Sequence, residues 1–183
     1  EGEVLSSSGG DDIGDDYLYA SGRIIDGPVS GATVFLDCNG NLIYDEGEAK
    51  TTSKADGTYQ FSTNVIKGRV IALAQGDSAS HVDEIDQSKC KVVTMGGHDT
   101  GSNESVENLQ LVADLPNELS KGTIITGVST AMAGANNEKA KQKILDTLCY
   151  GGEVGKGGTI EDALTRDIWE LAKQGEELAI LQL

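Results

Sequence analysis

The chain has 183 residues, with 14 Lys and Arg against 30 Asp and Glu, for a net charge of −16. A surface of that sign repels nucleic-acid phosphates and anionic membranes and attracts cations. Aromatics are 4 % of the chain, 24 residues are Gly and 38 % are hydrophobic; this points to a turn-rich β-protein with a small-residue core, and away from a large enzyme core or wholesale disorder.

Residues 1–16 carry six acids (Glu1, Glu3, Asp11, Asp12, Asp15, Asp16) and no base, and read as a flexible acidic tail. The first residue is Glu and no signal peptide is evident. We expect either a processed product, which suits export, or a fragment. No apolar run approaches the length that crosses a bilayer, so membrane insertion is not expected.

Seven short strand signals follow between residues 17 and 112. They are Tyr17–Ile25, Ala32–Leu36, Ala49–Ser53, Thr58–Ser62, Arg69–Leu73, Lys91–Thr94 and Val106–Leu111. Turns punctuate them at Asp26-Gly27-Pro28 and Ala55-Asp56-Gly57. Seven strands in so short a stretch predict a small antiparallel sandwich. Residues 75–89 read as a polar, acidic loop.

Between the second and third strands lies the most informative stretch, Asp-Cys-Asn-Gly-Asn-Leu-Ile-Tyr-Asp-Glu-Gly-Glu at 37–48. Asp37, Asn39, Asn41, Asp45 and Glu48 occupy positions 1, 3, 5, 9 and 12 of a twelve-residue calcium loop, and Ile43 would offer its backbone carbonyl at position 7. Calcium takes six to eight oxygens, which alternating carboxylates and amides supply. Such a loop usually has Gly at position 6, and Leu42 stands there. The entering residues are strand-like, so the loop belongs to a β-domain and not to a helical pair. The alternative is an acidic Asn/Gly turn without a metal.

Three cysteines are present: Cys38, Cys90 and Cys149. Their spacing gives no zinc motif. Either Cys38 pairs with Cys90, which would suit an oxidising compartment and leave Cys149 over, or all three are free thiols. Asn103-Glu104-Ser105 is a glycosylation triplet of low information.

Near Pro116 the pattern changes, and 113–183 reads as a linker and a helical segment. Ala140, Ile144, Leu145 and Leu148 predict a helix capped by Asn136 or Asn137 and stopped at Gly151-Gly152. Thr159 with Asp162 resembles a capping box for one last helix, with Ile160, Ala163, Leu164, Ile168, Leu171 and Ala172 on a stripe bordered by Trp169. The apolar end, Leu178–Leu183, needs covering by the β-domain or by another copy.

Catalysis finds little support. His81 and His98 sit in polar loops, no Gly-x-Ser-x-Gly elbow exists, and Gly151–Gly158 lacks the Gly-Lys-Ser/Thr of a phosphate loop. His98 and Asp99 with Asp77, Asp83, Glu84 and Asp86 suggest a second cation site, though a solvated acidic loop explains them more simply. Carbohydrate binding would need exposed aromatics, and Tyr17, Tyr19, Tyr44, Tyr59, Tyr150 and Trp169 mostly have core explanations.

The order of motifs resembles the repeat and stalk modules of large bacterial surface adhesins, with sandwiches similar to carboxypeptidase-regulatory and collagen-adhesin B-type domains. The resemblance is carried by Gly22 to Asp37, the Asp-x-Asn-x-Asn loop ending at Glu48, the Ala55-Asp-Gly-Thr-Tyr-Gln-Phe61 hairpin, Gly96-Gly-His-Asp-Thr-Gly101, and Gly122 to Ala131 as a strand and helix start. It implies an Ig-like or transthyretin-like sandwich that is extracellular, structural and non-catalytic, with calcium on the 37–48 loop. Leu42 and Cys38 depart from the family pattern, and one copy stands where such proteins usually carry tandem arrays. The expected role is thus a calcium-stabilised adhesion or stalk module, part of a cell-surface adhesin or of a self-assembling surface filament, secreted or at the cell surface. Its partners would be other copies of itself or a surface assembly. A virion decoration or fibre protein is the alternative.

Overall fold

The structure is a computed structural model that describes residues 17–46, 48–66, 69–72, 85–86, 90–117, 121–152 and 157–182. The acidic tail, His81 and most of the 75–89 loop lie outside these residues. The chain is mainly β, followed by short helices. The strands are β1 (Tyr17–Ile24), β2 (Val29–Ser30), β3 (Thr33–Asp37), β4 (Lys50–Thr52), β5 (Thr58–Ile66), β6 (Arg69–Ala72), β7 (Ile85–Asp86), β8 (Lys91–Met95), β9 (His98–Asp99), β10 (Glu104–Ser105), β11 (Gln110–Asp114) and β12 (Thr123–Ile125). The helices are α1 (Gly127–Ala133), α2 (Glu138–Leu148), α3 (Ile160–Thr165), α4 (Ile168–Lys173) and α5 (Glu177–Ile180).

The strands form a five-stranded sheet ordered β12-β1-β5-β6-β7, a four-stranded sheet ordered β11-β8-β3-β4 and a three-stranded sheet ordered β10-β9-β2. All pairings are antiparallel except β1 with β12, which run parallel with Gly22 opposite Thr123. Gly22 permits this approach, because a Cβ there would stand 1.8 Å from the Thr123 carbonyl oxygen. The Tyr59 hydroxyl donates to that same carbonyl at 2.9 Å.

Side chains of both larger sheets and of the helices meet in one buried cluster. It includes Ile24, Tyr59, Phe61 and Ile125 from the first sheet, Val34, Leu36, Val92 and Leu111 from the second, and Met132, Leu145, Leu164 and Ile168 from the helices. Strand β3 is buried on both faces. Val34 and Leu36 enter the main cluster, while Phe35 points the other way into a second one with Val93 and Val112. These three residues stand side by side across β3, β8 and β11.

Strand β11 is an edge, and α1 covers it. The Val112 N–H donates to Thr130 Oγ1 at 2.9 Å, and Ser129 Oγ donates to the Val112 carbonyl at 2.8 Å. Thr126 caps α1 through a reciprocal bond pair with Ser129. Asn137 caps α2, as one of the two expected residues, by accepting the Ala140 N–H at 2.9 Å.

Four expectations need correction. The strand expected at 106–111 runs over Gln110–Asp114, because Val106 to Leu109 closes a turn through the Leu109 N–H and the Val106 carbonyl. Helix α2 ends earlier than the glycine pair, with Cys149 in the left-handed region at φ 49°. Leu148, expected on the inward stripe, is exposed at that end. The single last helix is instead three short ones. Asp167 breaks the first from the second by capping α4, where its Oδ1 accepts the Glu170 N–H while its Oδ2 accepts Arg23 Nε at 2.7 Å. The expected stripe still faces inward: Ala163, Leu164 and Ile168 are buried, and Ile160, Leu171, Ala172 and Trp169 pack against the cluster.

Candidate functional site

The 37–48 loop connects β3 to β4 as a wide hairpin. Its base is closed where the Leu36 N–H donates to the Ala49 carbonyl at 3.0 Å. Asp37, fully buried, begins it. The Asp37 carboxylate collects three backbone donors: Asn39 at 3.2 Å and Gly40 at 2.7 Å on Oδ1, and Leu42 at 2.9 Å on Oδ2. Three N–H groups aimed at one carboxylate are what a buried acid needs in place of water.

The alternation of the sequence has a direct local consequence. Asn39 Oδ1 accepts the Asn41 N–H at 3.0 Å, and Asn41 Oδ1 accepts the Ile43 N–H at 2.8 Å. Short polar side chains bond the backbone two residues on, so oxygen-bearing residues at every second position wind the chain into successive turns. The two Asn amide groups then converge: Asn39 Nδ2 and Asn41 Nδ2 donate to Asp45 Oδ2 at 2.6 and 2.7 Å. Positions 3, 5 and 9 thus meet at a single oxygen.

Glu48 closes the loop. Its Oε2 accepts the Asp45 N–H at 3.0 Å, and the Glu48 N–H donates to the Asp45 carbonyl. Partial burial pushes the Glu48 carboxyl above the ordinary carboxylate range. The Asp45 N–H opposes this, and the charges of Asp37 and Asp45 add to it. Three acids therefore share one electrostatic neighbourhood. They are not already drawn together: among the described residues no three His, Cys, Asp or Glu side chains stand as a ligand group. Ile43 is exposed on the outer side of the loop.

Leu42 takes the left-handed conformation at φ 59°, the one that Gly would adopt at a sharp turn. Its side chain is half-buried. With Tyr44 and Ala133 it packs over Phe35, Val93 and Val112. Tyr44 meets Phe35 edge-on at 5.9 Å, and Lys50 Nζ lies 4.2 Å from the centre of the Tyr44 ring. Gln110 Nε2 reaches from β11 to the Leu42 carbonyl at 3.0 Å. This roof was not foreseen; its only trace in the sequence is the triplet Leu42-Ile43-Tyr44 inside an otherwise polar loop.

Cys38 and Cys90 form a disulfide, with Cα atoms 4.0 Å apart. The ladder explains the pairing. Asp37 is opposite Lys91 in β3–β8, so Cys38 and Cys90 are the next residues facing each other. The bond ties position 2 of the loop to the neighbouring strand. Cys149 is free and exposed.

The other candidate groups stand apart. Asp99 is held by its own turn, accepting from Ser102 Oγ and the Gly101 N–H at 2.7 Å each, and its carboxyl is lowered by those bonds, Ser102 foremost. His98 Nε2 lies 3.1 Å from Asn103 Oδ1, and Asp77, Asp83 and Glu84 are outside the described residues. Asn103 of the glycosylation triplet is exposed at a turn. A cleft of about 340 Å³ is lined by Arg23, Lys54, Tyr59, Lys121 and Asp167 among others. Arg23 is already committed there, to Asp167 and to the Asp56 carbonyl at 2.8 Å, and it joins sheet to helix. No helix of the described residues is long and apolar enough to cross a membrane.

The chain matches no protein-family model, no curated protein and no solved structure. The resemblance to adhesin stalk modules therefore rests on the order of its motifs alone.

Proposed function

We propose that this chain is a non-catalytic structural or adhesion module, an Ig-like or transthyretin-like sandwich whose β3–β4 loop takes calcium as a clamp. The observation that carries the reading is the convergence of Asn39 and Asn41 on Asp45 Oδ2, beside a Glu48 whose ionisation is opposed first by burial and then by its acidic neighbours. Two amide N–H groups there partly neutralise the carboxylate, a task a divalent cation does better. Asp37, Asn39, Asn41, Asp45 and Glu48, with the Ile43 carbonyl, would hold the ion through hard oxygens, the donor chemistry that calcium prefers.

The clamp would act by linkage. A ligand that binds only the folded state stabilises it by about 2.7 kcal/mol at a hundredfold excess over Kd. Extracellular sites of this kind have affinities on the order of 0.1–1 mM, so calcium-rich surroundings keep them filled. The Cys38–Cys90 disulfide supports an oxidising, secreted or cell-surface setting. The exposed Leu148, Ile180 and Leu181 support contact with further copies or with neighbours in a surface assembly.

The test is a thermal melt of the full chain in calcium and in chelator. We expect the melting temperature to rise by several degrees in calcium, and the rise to vanish in a variant with Asp37→Asn and Glu48→Gln. An unchanged melting temperature in the native chain would remove calcium from this reading.

A further inference from the structure

The five-stranded sheet carries a polar cleft on its outer face. Strands β1 and β5 pair with Ser21 opposite Gln60 and Arg23 opposite Thr58, so these four side chains share one face. Tyr59, between Thr58 and Gln60, points the other way into the core. The four residues line the cleft of about 340 Å³ together with Lys54, Lys121 and Asp167. Three bases and one acid therefore face one space, in a chain whose net charge is −16.

Arg23 is only 9 % exposed although it stands on an outer face. Its Nε donates to Asp167 Oδ2 at 2.7 Å and its Nη1 to the Asp56 carbonyl at 2.8 Å. Its Nη2 has no hydrogen-bond partner among the described residues; Glu170 Oε2 stands 3.7 Å away. A guanidinium has five N–H donors, and leaving a buried charged donor without an acceptor is costly. The neighbouring acids are occupied. Asp56 Oδ1 accepts the Thr58 N–H and hydroxyl at 3.0 and 2.6 Å. Asp167 accepts Arg23 on one oxygen and the Glu170 N–H on the other. By contrast, Ser21 Oγ, the Gln60 amide and Lys54 Nζ make no hydrogen bond or ion pair among the described residues.

We infer that this cleft binds a small oxyanion, a carboxylate or a phosphate. Arg23 Nη2 and Lys54 Nζ would supply charged donors, and Ser21 and Gln60 neutral ones beside them. Charge-assisted bonds of this kind are the strong ones, and a recess lined by one sign of charge focuses the field on an incoming anion. A metal cation would find no uncommitted carboxylate here. The cleft belongs to the five-stranded sheet and not to the β3–β4 loop, so it does not depend on the calcium reading.

The experiment titrates sodium succinate and sodium phosphate separately into the full chain at constant ionic strength, followed by backbone amide resonances. We expect saturable shifts centred on Ser21, Arg23, Thr58 and Gln60. Lys54→Gln should weaken binding about fivefold, and Gln60→Glu, which sets a like charge against the anion, about tenfold. Lys139→Gln removes the same charge from an exposed site on α2 and should change binding less than about twofold. Arg23→Lys keeps the charge but loses Nη2, and should weaken binding about tenfold. If Arg23→Lys does not fold, the Lys54 and Gln60 variants decide. Tighter succinate makes the ligand a carboxylate and tighter phosphate makes it a phosphate; either upholds the site. Shifts that never saturate with either anion overturn it. So does equal weakening by Lys54→Gln and Lys139→Gln, the mark of net charge alone.

Discussion

Glu48 is an acid whose ionisation the fold resists. Its folded-state pKa is raised, first by lost hydration and then by Asp37 and Asp45. A raised carboxyl binds its proton more tightly in the folded chain than in the unfolded one. Its contribution to stability is present below the unfolded value, about 4.3, and is lost as pH rises through the folded pKa. Near neutral pH and without calcium, the ionised Glu48 therefore works against folding. We expect Glu48→Gln to raise the melting temperature in chelator while reducing the gain from calcium; melts of both chains in both buffers check this. On the proposed calcium reading, protons and the ion would compete for the same oxygens. Apparent calcium affinity should fall between pH 7 and pH 5, a wider fall than an unperturbed Glu would produce, and calorimetry in buffers of different ionisation heat should show proton release on binding.

At the scale of elements, the β3–β4 hairpin is fastened at both ends: by the Leu36–Ala49 bond at its neck and by the disulfide at position 2. The cysteines are 52 residues apart in sequence, so the bond closes a long loop and restrains the unfolded chain; chain-entropy reasoning gives about 4 kcal/mol at most. Replacing both cysteines by Ser should move the urea midpoint down by a corresponding amount, and reduction of the native chain should do the same. The strands on either side of this hairpin were legible in the sequence because β-branched runs alternate with turn residues, and so was the polar alternation at Asp37, Asn39 and Asn41 that winds the loop. Less legible were elements set by distant partners. Strand β11 slips from the expected 106–111 because its place is decided by pairing with β8 and by the hydroxyls of α1. The α3–α4 break depends on Arg23, 144 residues away, drawing Asp167 out of a helical run. The roof over Phe35 was only half legible: the continuous apolar run Val34-Phe35-Leu36 announces two buried faces, but not which segment lies over the outer one.

The whole molecule is held together across the point where the sequence turns from strand to helix. A polar device sits at one side: Asp114 of β11 accepts from Lys91 Nζ and Lys141 Nζ at 3.0 Å each, and Lys91 also donates to the Ala133 carbonyl. Burial pulls the Asp114 carboxyl upward, but the two lysines outweigh it and leave it below the ordinary carboxylate range. A lowered carboxyl contributes stability that is present above the unfolded value, about 3.9, and is lost as pH falls through the folded pKa. Asp114→Asn should therefore cost about 2 kcal/mol at pH 7 and progressively less below pH 4, measured by urea unfolding at both pH values.

The apolar device is the parallel pairing of β1 with β12, and it is the sharper test of whether strands and helices share one cooperative core. Strand β12 leads directly into α1, whose cap Thr126 and buried Ser129 and Met132 continue the cluster. Everything after residue 122 thus enters the fold beside Gly22. A Cβ at Gly22 would collide with the Thr123 carbonyl oxygen at 1.8 Å and with the Tyr59 hydroxyl at 2.6 Å. Because the first obstacle is backbone, no side-chain rotation relieves it; β12 must move away, and the Tyr59 hydroxyl loses its buried acceptor. Gly22→Ala should destabilise the chain by about 3 kcal/mol. If core and helices unfold as one, far-ultraviolet dichroism at the strand band and fluorescence of Trp169 on α4 will report the same lowered midpoint. Separate midpoints, with the strand signal unshifted, would mean that the helical segment is an appended cap whose loss the β-domain tolerates.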